Sequence, residues 1–199
     1  MLIGPPLINQ QSSISNADDM RWLSYILLAY VAVALQIGLS PFVEYRGAAP
    51  NLVLLAVIFI AVNAPRDPAL LGGFILGLLQ DLVSHQQPGL FALSYGMVAW
   101  FVVSTQQVVY REHPLTHFSL ALAGGLMTAL VLVLHGYVHP ASPRVQHNGH
   151  ILPAIRVSPT VLLIGVLYTA VLAPLVLGAL QRMKGIFGFQ PGRRKGRAW

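Results

Sequence analysis

Cysteine is absent from the 199 residues, which excludes disulfides, thiol nucleophiles, thiolate zinc sites and iron–sulfur clusters. Charge is scarce as well. Asp, Glu, Lys and Arg make up 9% of the chain, against about 25% in an ordinary soluble domain. A water-covered surface of this size needs far more ionised side chains, so most soluble folds are excluded. No polar stretch is long enough for a separate soluble domain. What is abundant is apolar: 55% of the residues, with a mean hydropathy of +0.66. Lipid must cover much of the surface, and the chain reads as an all-α, polytopic membrane protein.

Apolar runs separated by Pro, Gly or charge give six spans, at 22–40, 49–64, 69–84, 89–109, 115–138 and 160–181. Residues 1–21 form a polar segment before this transmembrane domain (22–181), and residues 182–199 a basic tail. At about 1.5 Å per residue the longer spans cross a hydrocarbon core of about 30 Å. The second and third are short, and are expected to be buried or to thin the bilayer. The first span follows a polar segment and lacks the basic flank of a signal peptide, so no cleavage is expected. Asn16, Asp18 and Asp19 are expected to cap its start. Pro41, Pro50, Pro65, Pro68, Pro88, Pro114 and Pro159 fall at expected ends. Pro174 is interior, and is expected to kink the sixth helix and free the carbonyl near Ala170 unless Thr169 or a neighbouring helix pairs with it.

The net charge of +6 would suggest nucleic acid in a soluble chain. Here it has a topogenic explanation. Six of the twelve Lys/Arg are Arg182, Lys184, Arg193, Arg194, Lys195 and Arg197. With six crossings they share a side with Arg21, Arg66 and Arg111, leaving Arg46, Arg144 and Arg156 opposite. Both termini are therefore expected in the cytoplasm. The same tail interleaves basic and aromatic residues and is expected to adhere to anionic lipid, with a cytoplasmic protein as the sharper alternative. Residues 140–159 form a long external loop containing Pro140, Pro143, Pro153 and Pro159.

Chemistry-bearing residues are few. The third span carries Gly73, Gly77, Asp81 and Ser84 three or four residues apart, a small-residue stripe suited to close helix approach within the bundle or with a partner. Asp81 is the one carboxylate well inside a span, where an unpaired acid is costly. Its expected surroundings are His135 and His139 of the fifth span and Ser94 and Tyr95 of the fourth, as a polar lock or a hydrated helix end. Ala121-Gly125-Ala129 and Gly165-Thr169-Ala173 repeat the four-residue small spacing. The histidine pairs His113/His117, His135/His139 and His147/His150 lie on different sides and lack a completing acid, so no metal or other cofactor is expected. Ser94 lies between Leu93 and Tyr95 rather than in a nucleophile elbow, and neither HExxH nor a phosphate loop occurs. No enzyme is expected.

Several spaced motifs then coincide: Ala49-Pro50-Asn51-Leu52-Val53-Leu54-Leu55, Pro65-Arg66, Gly73-x-x-x-Gly77-Leu78-Leu79-Gln80-Asp81-Leu82, and Pro88-Gly89-Leu90-x-Ala92-Leu93-x-Tyr95. Together they resemble the bacterial rod shape-determining protein MreD family. The resemblance implies a non-enzymatic inner-membrane subunit of the cell-elongation machinery. Such a subunit binds the single-span protein MreC and connects the MreB filament to RodA and its class B transpeptidase. It also implies a six-helix fold similar to the substrate-binding subunits of energy-coupling-factor transporters. A vitamin-binding subunit, using residues such as Tyr95, Trp100 and His139, is therefore the alternative. Pro50, Gly73, Gly77, Asp81, Gly89 and Tyr95 match the family pattern, and are expected to shape the bundle and its partner-facing surface. Whether two copies associate is open on sequence alone.

Overall fold

A computed structural model describes residues 7–84, 88–105, 114–138 and 158–183, the first eighteen of these in backbone only. Six helices follow in order: α1 (Leu7–Val43), α2 (Leu52–Asn63), α3 (Arg66–Val83), α4 (Leu90–Thr105), α5 (Pro114–Val138) and α6 (Pro159–Arg182). Tyr25–Val43 of α1, α5 and α6 are each long and apolar enough to cross a membrane.

The centre of the bundle is α2. Its sequence, LVLLAVIFIAVN, is apolar on every side, and Val53 through Val62 are all buried. A helix without a polar face must be surrounded. Each of the other five helices touches α2, and they pack in the sequence α1, α3, α4, α5, α6 around it. The perimeter is apolar and exposed: Ile26, Tyr30, Leu78, Leu130, Leu167 and Leu175 are examples from four of these helices. Such a surface is stable against hydrocarbon rather than water.

Three boundaries differ from the sequence expectation. The backbone of α1 is helical from Leu7, so Asn16, Asp18 and Asp19 lie inside the helix and do not cap its start. No Gly or Pro interrupts Leu7–Arg21, and the helix has no local reason to stop there. Pro41 sits in the last turn of α1 rather than beyond it. Arg66, Asp67 and Pro68 form the first turn of α3, where Pro is tolerated because the first amides have no intrahelical acceptor.

The most informative difference is at α2, which starts at Leu52 and holds 12 residues, about 18 Å of rise. Residues 44–51 lead into it from the end of α1 as a non-helical segment. Tyr45 and Ala48 exchange backbone hydrogen bonds of 2.9 and 3.0 Å around Arg46 and Gly47. Both central residues have positive φ, at 52° and 82°, as a tight mirror-image turn requires. The second span is short because its first part is not helix at all.

Candidate functional site

Two polar nodes and one close helix contact organise the bundle. The first node centres on Asn51. Its side-chain oxygen accepts from the Leu54 amide at 2.9 Å, the N-cap geometry that satisfies a free donor of α2. The same side chain pairs with Tyr95 of α4: Asn51 Nδ2 donates to the phenol oxygen at 2.8 Å, and the phenol lies 3.0 Å from Asn51 Oδ1. The Asn51 amide donates to Thr169 Oγ1 of α6 at 2.8 Å. Thr169 in turn donates to the Gly165 carbonyl at 2.7 Å. On the other flank, Gln36 of α1 accepts from the Leu52 amide at 2.6 Å and donates to the Pro50 carbonyl at 3.1 Å. Three residues at the head of α2 thus tie α1, α4 and α6 together. Tyr95 is fully buried, and a buried phenol without this partner would be costly.

The second node is Asp81. Oδ2 accepts from the Gly89 and Ala92 amides, each at 3.0 Å, and Oδ1 accepts from the Phe91 amide at 2.9 Å. The carboxylate of α3 therefore caps α4, filling three donors that have no intrahelical acceptor. A negative group at the positive end of a helix adds attraction to the hydrogen bonds. Gly89 enters α4 at φ 95°, which a side chain would strain. The expected neighbourhood of Asp81 is corrected here. α3 and α5 share no contact among the described residues, so His135 is not its partner, and His139 lies outside them. Ser94, also expected nearby, donates instead to the Leu90 carbonyl one turn back.

Between the nodes, α3 and α4 approach through glycine. A Cβ on Gly77 would sit 2.5 Å from the Phe91 carbonyl and 2.7 Å from the Ala92 nitrogen. On Gly73 it would sit 2.6 Å from the Ala99 Cβ. The Gly73–Gly77 stripe is occupied by a helix of the same chain. The other small stripes also face inward: a Cβ on Gly125 would meet Val166 of α6 at 2.9 Å, and Thr169 and Ala173 are buried. α6 runs unbroken through Pro174. Thr169 does not take up the Ala170 carbonyl, since its hydroxyl is directed at Gly165.

Near the opposite end of the bundle, His117 Nε2 and the Gln181 amide nitrogen are 2.8 Å apart, joining α5 to α6. A nitrogen held in that bond is not available to a metal. No group of three metal-ligating side chains occurs among the described residues. Arg182 is exposed at the end of α6. Lys184, Arg193, Arg194, Lys195, Arg197, His113, His147 and His150 lie outside the described residues.

The spaced motifs thus come together around the α2–α3–α4 contact: Pro50 and Asn51 at the head of α2, Gly73, Gly77 and Asp81 on the α4 face of α3, Tyr95 on α4, and the exposed Gly89 at the turn into α4. The family model for the rod shape-determining protein MreD matches residues 17–183, spanning all six helices. The chain belongs to the MreD family. No curated protein and no solved structure matches it. MreD is a family of shape-determining proteins, and in this chain the two polar nodes join helices of the bundle to one another. Sequence reasoning missed Gln36 and the cap at Asn51. An Asn directly before an apolar run, and a lone Gln within one, were the available signals.

Proposed function

We propose that this chain is a non-enzymatic scaffold subunit of the bacterial cell-elongation complex, embedded in the cytoplasmic membrane with both termini inside. In this reading it binds an MreC-like single-span protein through its lipid-facing surface. It thereby links the MreB filament to the peptidoglycan-synthesising pair of RodA and the class B transpeptidase. The observation that carries the reading is the family match over 17–183. The interior supports it, since its polar groups are directed at helix caps and interhelical bonds rather than at a reacting centre. The excess of Lys and Arg on the side of the termini supports the orientation. The basic tail then meets the anionic inner leaflet.

The vitamin-binding alternative has no support from a matching structure. The cleft at the head of α2 is about 220 Å³, smaller than the roughly 300–1,000 Å³ of pockets that take ligands of drug size. Affinity purification of the tagged chain from membranes, with MreC followed by immunoblot, tests the proposal. Stoichiometric recovery of MreC and rounding of cells depleted of this chain are expected. Recovery without MreC, together with a thermal shift by a vitamin, would replace the scaffold reading with the alternative.

A further inference from the structure

The cleft itself has chemistry that the scaffold reading does not use. It lies above the head of α2, between α5 and α6, and is lined by the Gly47–Ala49 backbone, Asn51, Thr128 and Thr169 with Phe91 and Val166 among its apolar walls. Its floor is deep. Thr169 is ten residues into α6 from Pro159, and Thr128 ten residues into α5 from Val138, each about 15 Å of rise. The Gly47–Asn51 segment therefore descends well below the outer helix ends as irregular backbone. Such backbone persists at membrane depth only inside protein or against a water-filled cavity.

Ala49 decides between these. Among the described residues neither its amide nor its carbonyl has a hydrogen-bond partner, and the residue is half-buried against the cleft. Thr128 is buried and donates to the Gly124 carbonyl, leaving its oxygen free to accept. Ala49, with its peptide donor and acceptor, and Thr128, with its hydroxyl acceptor, thus both line a space of about 220 Å³ with no charged side chain among its lining residues. Peptide groups left unpaired at this depth require water or a ligand. Lacking a compensating charge, the cleft disfavours an ion.

We propose that this cleft is a water-filled vestibule, open on the face opposite the termini, and that it binds a small uncharged ring compound bearing an amide. The amide supplies both a donor and an acceptor for Ala49, and the ring packs against Phe91 and Val166. That the vestibule faces the cell exterior rests on the orientation proposed above.

The absence of cysteine makes the test direct. Thr128→Cys places a thiol in the cleft, and Leu130→Cys places one on the lipid-facing side of the same helix two residues on. Ala129→Cys, also lining the cleft, serves if Thr128→Cys fails to fold. Each full-length variant in sealed cells is treated with a small, permanently charged methanethiosulfonate that does not cross bilayers. We expect labelling at Thr128→Cys at least tenfold faster than at Leu130→Cys. Millimolar benzamide should slow it saturably, and benzoate of the same size should not. Equal rates at the two positions would overturn the vestibule. Failure of benzamide to protect would overturn the binding site. Fast labelling only when the reagent reaches the cytoplasmic face would uphold the vestibule and overturn the orientation instead.

Discussion

Single side chains in this protein do work that their burial makes expensive to replace. Asp81 satisfies three amides of α4 with two oxygens. Asp81→Asn keeps one acceptor oxygen but turns an NH2 group toward an amide, so a loss of about 1–2 kcal/mol is expected, in the range of a removed cap. Asp81→Leu leaves all three donors without an acceptor, at about 1–3 kcal/mol each before relaxation. The order wild type, Asn, Leu in thermal unfolding of detergent-solubilised protein checks this; an Asn variant as unstable as the Leu variant would contradict it. Gly77 is expensive for a steric reason. Gly77→Ala puts a methyl group against the backbone of Ala92, which cannot rotate away as a side chain could. At least the roughly 1–3 kcal/mol of an overpacked core is expected. Gly136→Ala, where the added carbon meets nothing within 4 Å, should leave the unfolding temperature nearly unchanged or slightly raised.

At the scale of elements, the head of α2 couples three other helices, and coupling is measurable as non-additivity. Tyr95→Phe removes the phenol from Asn51, and Asn51→Ala removes both the cap and the partner of that phenol. Once Asn51 is gone the phenol has lost its described partner, so the double variant should be less destabilised than the sum of the singles, by about 0.5–3 kcal/mol. Strict additivity in reversible unfolding would mean that the pair is not a unit. The same elements show what could be read beforehand. The burial of α2 was legible because no polar residue interrupts Leu52–Val62, and the close approach at Gly73 and Gly77 because glycines four apart share a helix face. The acceptor role of Asp81 was legible, but its donors were not. They lie 8–11 residues on, across a turn, and no local periodicity connects a helix end to the start of its neighbour. The truncation of α2 was hidden for a related reason. Apolar content marks Ala49 and Pro50 as the start of the second span, yet the positive φ of Arg46 and Gly47 and the pairing of Tyr45 with Ala48 keep that stretch out of the helix.

For the whole molecule, the consequence is a division between interior and perimeter. The small-residue stripes that invite helix pairing are occupied within the chain: Gly73 and Gly77 by α4, and Gly125 by α6. A separate transmembrane helix therefore meets these stripes already filled, and larger side chains at the perimeter, such as Phe74 and Leu78 of α3 or Leu167 and Val171 of α6, all exposed, offer it a seam. Packing there resembles a knobs-into-holes seam more than a glycine-mediated crossing, and depends on shape over several turns. Photocrosslinking residues placed one at a time on the perimeter should capture the single-span partner along one helix row, at positions three or four apart. The same probe at Leu54 or Val98, both buried, should capture nothing. Capture of the partner from the α3–α4 contact in folded protein would require the two helices to part on binding. The glycine contact would then be the hinge of a rearrangement rather than a fixed seam.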